Sequence, residues 1–575
     1  MRNRKAILVA GLALALLCPW ALAQSNGATD AAAASPDSAA VQTTLPPVPV
    51  SFDQVIDRVV VRERFFNQQM RHLHPLVETY LQNLKTDREL GPVAVSDRYF
   101  LGRLDLSDGV DDRSFMGQPG FGHRLFSHMA EVFSMKFLPL GFAQMVVLDQ
   151  DFERKYYDFT YVRREFLGEV RCIVIDVQPK KHAGDGRFIG RIWVEDQDYN
   201  IVRFNGTYTS HNEGKVYLHF DSWRMNMRPG LWLPAYVYSE ETSDHVREKT
   251  LHFRAQTRLW GYQLQRIGSN DEFTQILVDS PQSVQDQSAA SQDASPVDAE
   301  RRWEREAEDN ALDRLQRIGL LAPEGDVDKV LQTVVNNLIF TNNLNIVPEV
   351  RVRVLLTTPL ESFTVGHTIV VSRGLLDVLP DEASLAMILA HELGHIALGQ
   401  PFDTSMAFND RLFFPDQDTF QQMDFAHDPV DEEAADTEAL KLLANSPYKD
   451  KLATAGLFLK SLKEHSPDLR NLIRPHLGNS LANGESIRMS SVLNSAPKLE
   501  PHKLTQLAAL PLGSRIKLDP WSDRVELIKT KPVALTAADE KMPFGLTPFF
   551  PYLTRYSTGA SEKVASTAPA SGATQ

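Results

Sequence analysis

An apolar segment that contains two histidines and a glutamate constrains the fold of this chain more than any other feature. Between Pro380 and Gln400 the sequence reads PDEASLAMILAHELGHIALGQ, with a helix-starting Asp381 and no proline in its interior. On such a helix His391 and His395 lie four residues apart, so both imidazoles project from one face and can share one metal ion. We therefore predict a buried helix that carries part of a metal site.

Glu392 lies next to that face of the predicted helix. It cannot easily bind the same ion as the histidines, but it can reach a water molecule that the ion activates and act as a general base. Burying two histidines and a glutamate among apolar residues without a partner is unfavourable, which favours the metal site. The alternative is a pair of core histidines whose ring nitrogens are satisfied by the backbone.

A second acidic cluster, DEEAAD at Asp431–Asp436, begins another predicted helix and offers the remaining ligand. A catalytic zinc site needs three protein ligands and one open position. Helical spacing puts Glu432 and Asp436 on the inward face of this helix, whereas Glu433 points away. We predict Glu432 as the third ligand and Asp436 as the acceptor for the spare N–H of His391. The alternative is a solvated helix start that the helix dipole favours.

The run VVSRGLLDVLPDEASLAMILAHELGHIALGQ, followed by EEAAD, resembles a known peptidase family. This is the family of the CAAX prenyl proteases, the HtpX heat-shock proteases and the periplasmic outer-membrane quality-control proteases. The resemblance covers about residues 327–527. It implies a gluzincin, a zinc metalloendopeptidase with HExxH and a distal ExxxD, and one zinc ion per chain. The residues that it assigns are His391, His395 and Glu432 as zinc ligands, Glu392 as general base and Asp436 behind the ligands.

The resemblance also implies protein or peptide substrates, unfolded or from the cell envelope, and a role in envelope protein quality control. We expect the substrate to lie extended along a predicted strand at Phe363–Ser372, adding main-chain hydrogen bonds to it. The family usually has an Asn-Ala-Phe-like edge strand, whereas this chain has Glu361, Ser362 and Phe363. The details of substrate pairing are therefore open.

The late His-Pro and Arg-Ile motif of the family is also altered. Leu510 stands where the histidine is expected, while Arg515 of the Arg-Ile pair is kept. We predict that Arg515 stabilises the oxyanion of the transition state. The alternative is that it caps a helix or pairs with a surface carboxylate. His502 or His476 is a candidate for the missing imidazole.

The N-terminus has the pattern of a secretory signal. A basic start precedes the apolar run Ala6–Cys18 and an A-x-A cleavage site that ends at Ala23. We expect cleavage near Ala23 and a periplasmic or secreted chain, with an uncleaved anchor as the alternative. The net charge of -14 becomes more negative after cleavage, which argues against nucleic acid or anionic lipid as a partner. Only Cys172 then remains, so no intrachain disulfide is possible.

Composition divides the chain into two predicted bodies and gives the α+β fold class. The first body opens with helical periodicity from Phe52 to about Leu84 and continues from Tyr156 as short alternating runs. Such runs, separated by turns, indicate an antiparallel β-meander or half-barrel. The second body is a mainly helical, zincin-like metalloprotease domain with a small sheet. The predicted boundaries are a signal at 1–23, a linker at 24–50, the first body at 51–276, a linker at 277–299, the peptidase body at 300–535 and a largely disordered tail at 536–575.

The run GRFIGRIWVEDQDYNIVRF at Gly186–Phe204 resembles a strand pair of the LolA-like and RseB-like periplasmic domains, which accommodate lipid or lipoprotein chains. The resemblance is loose and covers about Asp151–Tyr262, and any antiparallel sheet with a polar face gives a similar pattern. One alternative function is thus a lipid- or lipoprotein-binding or holdase module with a structural zinc. Another is that residues 51–276 are an inhibitory prodomain, released by cutting the Ser280–Asp298 linker. Whether Pro401–Pro429 gates the site stays open.

Overall fold

The structure is a computed structural model of the chain. The described residues are 49–88, 91–106, 111–114, 145–149, 151–184, 186–209, 218–246, 249–262, 296–405, 407–408, 416–483, 486–496, 498, 516–519, 524–527, 546 and 551–556. The predicted secretory signal lies outside these ranges, as do His502, Leu510 and Arg515. Within them, no helix combines the length and the apolar character that crossing a bilayer requires.

The N-terminal part consists of helix α1 (Phe52–Met70) and one antiparallel sheet. The strands are β1 (Leu76–Asp87), β2 (Gly91–Asp105), β3 (Asp111–Ser114), β4 (Tyr157–Leu167), β5 (Val170–Pro179), β6 (Phe188–Glu195), β7 (Ile201–Tyr208), β8 (Phe220–Arg228), β9 (Leu231–Val246) and β10 (Lys249–Trp260). Their order in the 10-stranded sheet is β3-β2-β1-β10-β9-β8-β7-β6-β5-β4. Consecutive strands from β4 to β10 are neighbours, so the predicted meander is confirmed.

Strand β1 corrects the prediction of one helix from Phe52 to about Leu84. Helix α1 ends at Met70, and after Pro75 the chain continues as β1 between β2 and β10. Proline at this point cannot continue the helical hydrogen bonding. Most of β1 is buried on both faces, so it lacks the polar and apolar alternation that marks a half-buried strand.

The C-terminal part is mainly helical, as predicted, with a small sheet in the order β11-β13-β12. Helix α2 begins at Pro296, inside the end of the predicted linker. The elements are α2 (Pro296–Ile318), α3 (Asp326–Thr341), β11 (Arg351–Leu355), β12 (Ser362–Val365), β13 (Thr368–Ser372), α4 (Arg373–Val378), α5 (Glu382–Ala397), α6 (Asp416–Gln422), α7 (Pro429–Ala444), α8 (Leu452–His465), α9 (Arg470–Ile473), β14 (Ala482–Asn483), β15 (Ser486–Ile487), β16 (Ile516–Asp519) and β17 (Arg524–Leu527). Two 3-10 helices lie at Lys449–Lys451 and Ser490–Ser495.

The large sheet packs directly against the C-terminal part. The described residues from Val50 onward belong to one compact unit. Leu76, Tyr80 and Trp260 belong to the same buried hydrophobic cluster as apolar residues of α3, α4 and α5. Asp97 on β2 accepts a hydrogen bond from the backbone N–H of Leu472 at 2.7 Å. The two predicted bodies therefore share a core, while their boundaries in the sequence stay a prediction.

Glu78 and Arg258 form a buried ion pair where the large sheet meets the C-terminal part. Glu78 also contacts Thr358, which precedes β12 in the sequence. Glu78 of β1 is 2% exposed, and its Oε2 atom lies 2.7 Å from Nη2 of Arg258. Its Oε1 atom accepts a hydrogen bond from the backbone N–H of Thr358 at 2.6 Å. Burial acts to raise the pKa of Glu78, but the charges of Arg258 and Arg373 hold it below its usual value. The large sheet thus fixes the chain that leads into β12.

A short segment inside the predicted tail also lies on the sheet. Leu553 is 2% exposed, and its carbonyl accepts a hydrogen bond from the N–H of Glu169 at 2.9 Å. Arg555 Nη2 is 3.0 Å from the buried carboxylate of Glu195. Gly168, with a φ of +67°, makes room for the segment, because a Cβ there would lie 2.5 Å from Leu553 O. Residues 551–556 therefore have a defined position within the predicted tail, whose extent stays a prediction.

Candidate metal centre

Helix α5 carries the HELGH segment through the interior of the C-terminal part. Asp381 caps its N-terminus by accepting a hydrogen bond from Ser384 N at 2.8 Å, and every residue from Ala383 to Ile396 is buried. Gly394 allows α7 to cross closely, because a Cβ at this position would lie 2.8 Å from Ala435 O. This close crossing brings the acidic residues of α7 to the histidines of α5.

His391, His395 and Glu432 converge on one point between the two helices. Nε2 of His391 lies 3.1 Å from Nε2 of His395, and each of these atoms lies 3.5 Å from an oxygen of Glu432. One ligand atom from each residue lies within 4.8 Å of the other two, as binding to a shared ion requires. The structure thus brings together the three residues that were predicted as ligands from the sequence.

The surroundings of these three side chains fit a bound cation. Oε1 of Glu432 is buried and has no hydrogen-bond partner among the described residues. The side chains of His391 and His395 are 2% and 1% exposed, and their Nε2 atoms face each other. This arrangement argues against core histidines satisfied by the backbone. Two imidazole nitrogens and one carboxylate oxygen are a ligand set that suits zinc.

Hydrogen bonds at the far ring nitrogens orient both imidazoles. Asp436 Oδ1 lies 2.8 Å from Nδ1 of His391, and Gln400 Oε1 is hydrogen-bonded to Nδ1 of His395. A proton at Nδ1 leaves the lone pair of Nε2 for a metal. Burial acts to lower the pKa of His391, but its hydrogen bonds with Asp436 and Glu432 raise it above the usual value. Asp436 lies where it was predicted, whereas Gln400 was not predicted.

We expect Asp436→Asn to weaken zinc binding or activity by about 10- to 100-fold without abolishing either. The asparagine amide has the size of the carboxylate, but its oxygen carries no full negative charge and so accepts a weaker hydrogen bond from the N–H of His391. Competition with a chelator and peptide hydrolysis measure the two effects. Asp450→Asn, at an exposed aspartate, is the control. Unchanged zinc affinity and activity in Asp436→Asn would mean that this carboxylate does not support the site.

Glu392 lies beside the three candidate ligands. Its Oε1 atom accepts hydrogen bonds from Oγ of Ser362 at 2.7 Å and from Nη1 of Arg488 at 3.1 Å. The side chain is 1% exposed, so these two donors define the orientation of its carboxylate. A general base needs such a fixed position next to the group from which it takes a proton.

Arg488 is the arginine that the structure brings to the site, whereas Arg515, predicted for such a role, lies outside the described residues. Nε of Arg488 is 2.9 Å from Oε2 of Glu432, and its Nη2 donates a hydrogen bond to Asn479 O at 2.7 Å. Burial acts to raise the pKa of Glu432, but the two histidines and Arg488 hold it far below its usual range. No motif or periodicity in the sequence marks Arg488, because it lies in a short hairpin far from HELGH.

His427 is a further residue of the site that was not predicted. Its ring stacks on that of His395 with centroids 3.9 Å apart, and its Nε2 lies 3.1 Å from Oγ1 of Thr364 on β12. Burial and the charge of His395 lower the pKa of His427, so the ring is neutral at pH 7. Nε2 of His476, a predicted alternative, lies 3.1 Å from a backbone carbonyl of α6 instead. The other alternative, His502, lies outside the described residues.

Strand β12 forms one edge of the small sheet beside Glu392. Its antiparallel pairing with β13 turns the backbone groups of Phe363 inward and those of Ser362 and Thr364 toward the outer edge. On that edge the described residues give Ser362 and Thr364 no backbone hydrogen bond. Gly478 runs alongside, where a Cβ would lie 2.9 Å from Ser362 O. Ser362 and Thr364 are 0% and 3% exposed, so an extended peptide can pair with this edge only if the segment around Gly478 is displaced.

One helix thus supplies two histidines and a second helix supplies a carboxylate, an arrangement that suits a metallopeptidase. Residues 326–412 match the model of peptidase family M48. This match confirms the resemblance to the family for this part of the chain and supports a metallopeptidase. The match includes His391, Glu392 and His395 and ends before Glu432.

A comparison with curated proteins found no match. A domain named for outer membrane lipoprotein sorting, from Vibrio parahaemolyticus, is 9% identical and covers 39% of this chain and 97% of its own, with a TM-score of 0.22. A LolA superfamily protein from Nitrosomonas europaea is 10% identical, with coverages of 37% and 93% and a TM-score of 0.19. A DUF1329 family protein from Desulfovibrio piger is 10% identical, with coverages of 40% and 96% and a TM-score of 0.19. Scores this low support no conclusion about function.

Proposed function

We propose that this protein is an exported, zinc-dependent endopeptidase of the cell envelope. The observation that carries the proposal is the convergence of His391, His395 and Glu432, with one ligand atom each within 4.8 Å, beside the carboxylate of Glu392. Two imidazoles and a carboxylate leave one position of a tetrahedral zinc ion open for catalysis. Export is supported by the predicted secretory signal, and a role in envelope quality control by the family resemblance.

The residues around the metal position divide the chemistry between them. Zinc bound by His391, His395 and Glu432 would supply a Lewis acid for the substrate carbonyl and make a water molecule more acidic. Glu392 would take a proton from the attacking water and return it to the leaving amine. Ser362 and Arg488 hold the carboxylate of Glu392 for this transfer, while Asp436 and Gln400 keep the two imidazoles in the orientation that binds metal.

We propose that the substrate chain lies extended along the outer edge of β12 after displacing the segment around Gly478, which covers this edge. Backbone groups of Ser362 and Thr364 pair with it, so the scissile bond must belong to an unfolded or loop segment. His427, hydrogen-bonded to Thr364 and stacked on His395, supplies the imidazole that Leu510 lacks. Its neutral ring offers a hydrogen-bond donor to the oxygen that becomes negative in the transition state.

Zinc removal tests the proposed function. The full chain is assayed on an unfolded protein before and after dialysis against a chelator, and then with one equivalent of zinc. We expect chelation to lower hydrolysis by at least about 100-fold, because water is then no longer activated, and zinc to restore it. Magnesium at the same concentration is the control. Hydrolysis that persists in the metal-free chain would contradict the proposal.

The shared core predicts what happens when the connection between the two parts is cut. A protease site inserted between residues 263 and 295 separates β10 from α2 in sequence. Because β1, β2 and β10 pack into the core of the C-terminal part, we expect the fragments to co-elute in gel filtration and to retain the activity of the uncut chain. Separate fragments with increased activity would instead identify residues 51–276 as an inhibitory prodomain.

A further inference from the structure

We propose that Arg488 is a positioning residue that keeps the general base Glu392 off the zinc ion. This inference rests on the proposed function. It concerns a residue that neither the family match at 326–412 nor the HELGH motif includes.

The guanidinium of Arg488 connects the two carboxylates of the site. Nη1 donates a hydrogen bond to Oε1 of Glu392 at 3.1 Å, and Nε forms an ion pair with Oε2 of Glu432 at 2.9 Å without the geometry of a hydrogen bond. Nη2 donates to Asn479 O at 2.7 Å, which holds the group from its third side. The Arg488 side chain is 8% exposed, so water screens these contacts little. A planar group with a fixed fork of donors can hold two carboxylates in a defined relative orientation.

The helical position of Glu392 does not favour binding to the ion shared by His391 and His395, but its carboxylate becomes a possible zinc ligand if the side chain is free to turn toward that ion. The carboxylate of Glu392 has the same zinc-binding chemistry as the carboxylate of the proposed ligand Glu432. Glu392 is adjacent in sequence to the proposed ligand His391, and its charge is buried. Binding of Glu392 to the ion would close the open position and remove the base. A cation held between Glu392 and Glu432 opposes that movement.

The contacts of Glu392 are consistent with this restraint. Ser362 and Arg488 both donate to Oε1. Within the described part of the chain, no hydrogen bond is formed at Oε2 of Glu392. Oε1 of Glu392 is therefore the oxygen held in place, and Oε2 is the oxygen left to take the proton.

The backbone next to Arg488 supports the same arrangement. Arg488 N donates to Leu481 O at 3.0 Å, which closes the β14–β15 hairpin. Met489 has a φ of 55°, in the left-handed region that is uncommon for a methionine, and its N–H donates to Oδ2 of Asp436 at 2.8 Å. Two consecutive residues thus contact Glu392, Glu432 and Asp436. If the β14–β15 hairpin only shielded the core from solvent, it would not need these contacts with the three carboxylates.

The experiment measures both zinc binding and catalysis in the full chain. Arg488→Gln removes the positive charge. Arg488→Lys keeps the charge on one ammonium nitrogen but loses the planar guanidinium. Arg317→Gln is the matched control at an exposed arginine. Zinc affinity is measured by competition with a chelator, kcat and KM on one peptide, and Tm by thermal unfolding.

In Arg488→Gln we expect zinc to bind about tenfold more tightly, because a nearby positive charge is lost and Glu392 joins the ligands. We expect kcat to fall by about 100-fold with KM unchanged, since only the transition state loses the base. Arg488→Lys should lie between wild type and Arg488→Gln. The gain in zinc affinity should disappear in the double variant Arg488→Gln with Glu392→Gln.

Other outcomes overturn the proposal. Weaker zinc binding in Arg488→Gln would mean that Arg488 holds the ligand Glu432 instead. An increase in KM alone would make it a substrate-binding residue, and a fall in Tm together with unchanged zinc affinity would make it purely structural. If the wild type hydrolyses no peptide, the proposed function fails. The zinc affinities of the variants still test the restraint on Glu392 in that case.

Discussion

Glu392→Gln is expected to lower kcat for peptide hydrolysis by about 100- to 10,000-fold while leaving one zinc ion per chain. The amide has the size of the carboxylate and can still accept a hydrogen bond from Ser362, but it cannot take a proton from water. Glu433→Gln is the matched control. Glu433 is exposed on α7, so this substitution makes the same chemical change away from the site. Steady-state kinetics on one peptide, with metal analysis of the same samples, measures the effect.

The outcomes of this substitution distinguish the competing functions. Loss of zinc together with activity would identify Glu392 as a ligand and contradict its role as the base. Full activity in Glu392→Gln would place the base elsewhere. If zinc is bound but neither wild type nor variant hydrolyses any substrate, the alternative of a lipid-binding or holdase module with a structural zinc gains support.

Glu432→Ala is expected to reduce zinc affinity by more than the about 10- to 100-fold that changes behind the ligands typically cause. It removes one of three protein ligands and leaves the charge of Arg488 next to the histidines without one of its two carboxylate partners. Glu433→Ala should retain the zinc affinity of the wild type. Competition with a chelator measures both variants, and the rise in Tm on adding zinc provides a second measure because the ion stabilises only the folded chain.

Equal zinc loss in Glu432→Ala and Glu433→Ala would contradict the assignment of the third ligand. The two residues are neighbours in sequence, so a general weakening of α7 would affect both. A difference between them depends on the face of the helix on which each one lies. The comparison thus tests the geometry of the site rather than the stability of α7.

Much of the site follows from local helical spacing. His391 and His395 on one helix, and Glu432 with Asp436 on another, are each fixed relative to one another by the helical repeat. That the two helices meet depends on Gly394, whose missing Cβ allows close approach to Ala435. Strands β4 to β10 were also predictable, because alternating runs separated by turns pair with their neighbours.

Features that depend on tertiary contacts could not be predicted. Strand β1 buries the polar residues Glu78 and Gln82, so its pattern lacks the alternation of a half-buried strand. Glu78 is satisfied by residues distant in sequence, Tyr99, Arg258 and Thr358. The proposed role of Arg488 likewise depends on its contacts with Glu392 and Glu432, and no sequence pattern links it to these residues.

X-ray absorption at the zinc edge of the purified full chain measures the proposed metal coordination itself. The account predicts one zinc ion per chain with two imidazole nitrogens at about 2.0–2.1 Å, one carboxylate oxygen at about 2.0–2.2 Å and one further light ligand. In Glu432→Ala the carboxylate contribution should be missing from any zinc that remains. A spectrum with sulfur ligands, with a fully hydrated ion or with no zinc in hydrolytically active protein would contradict the account.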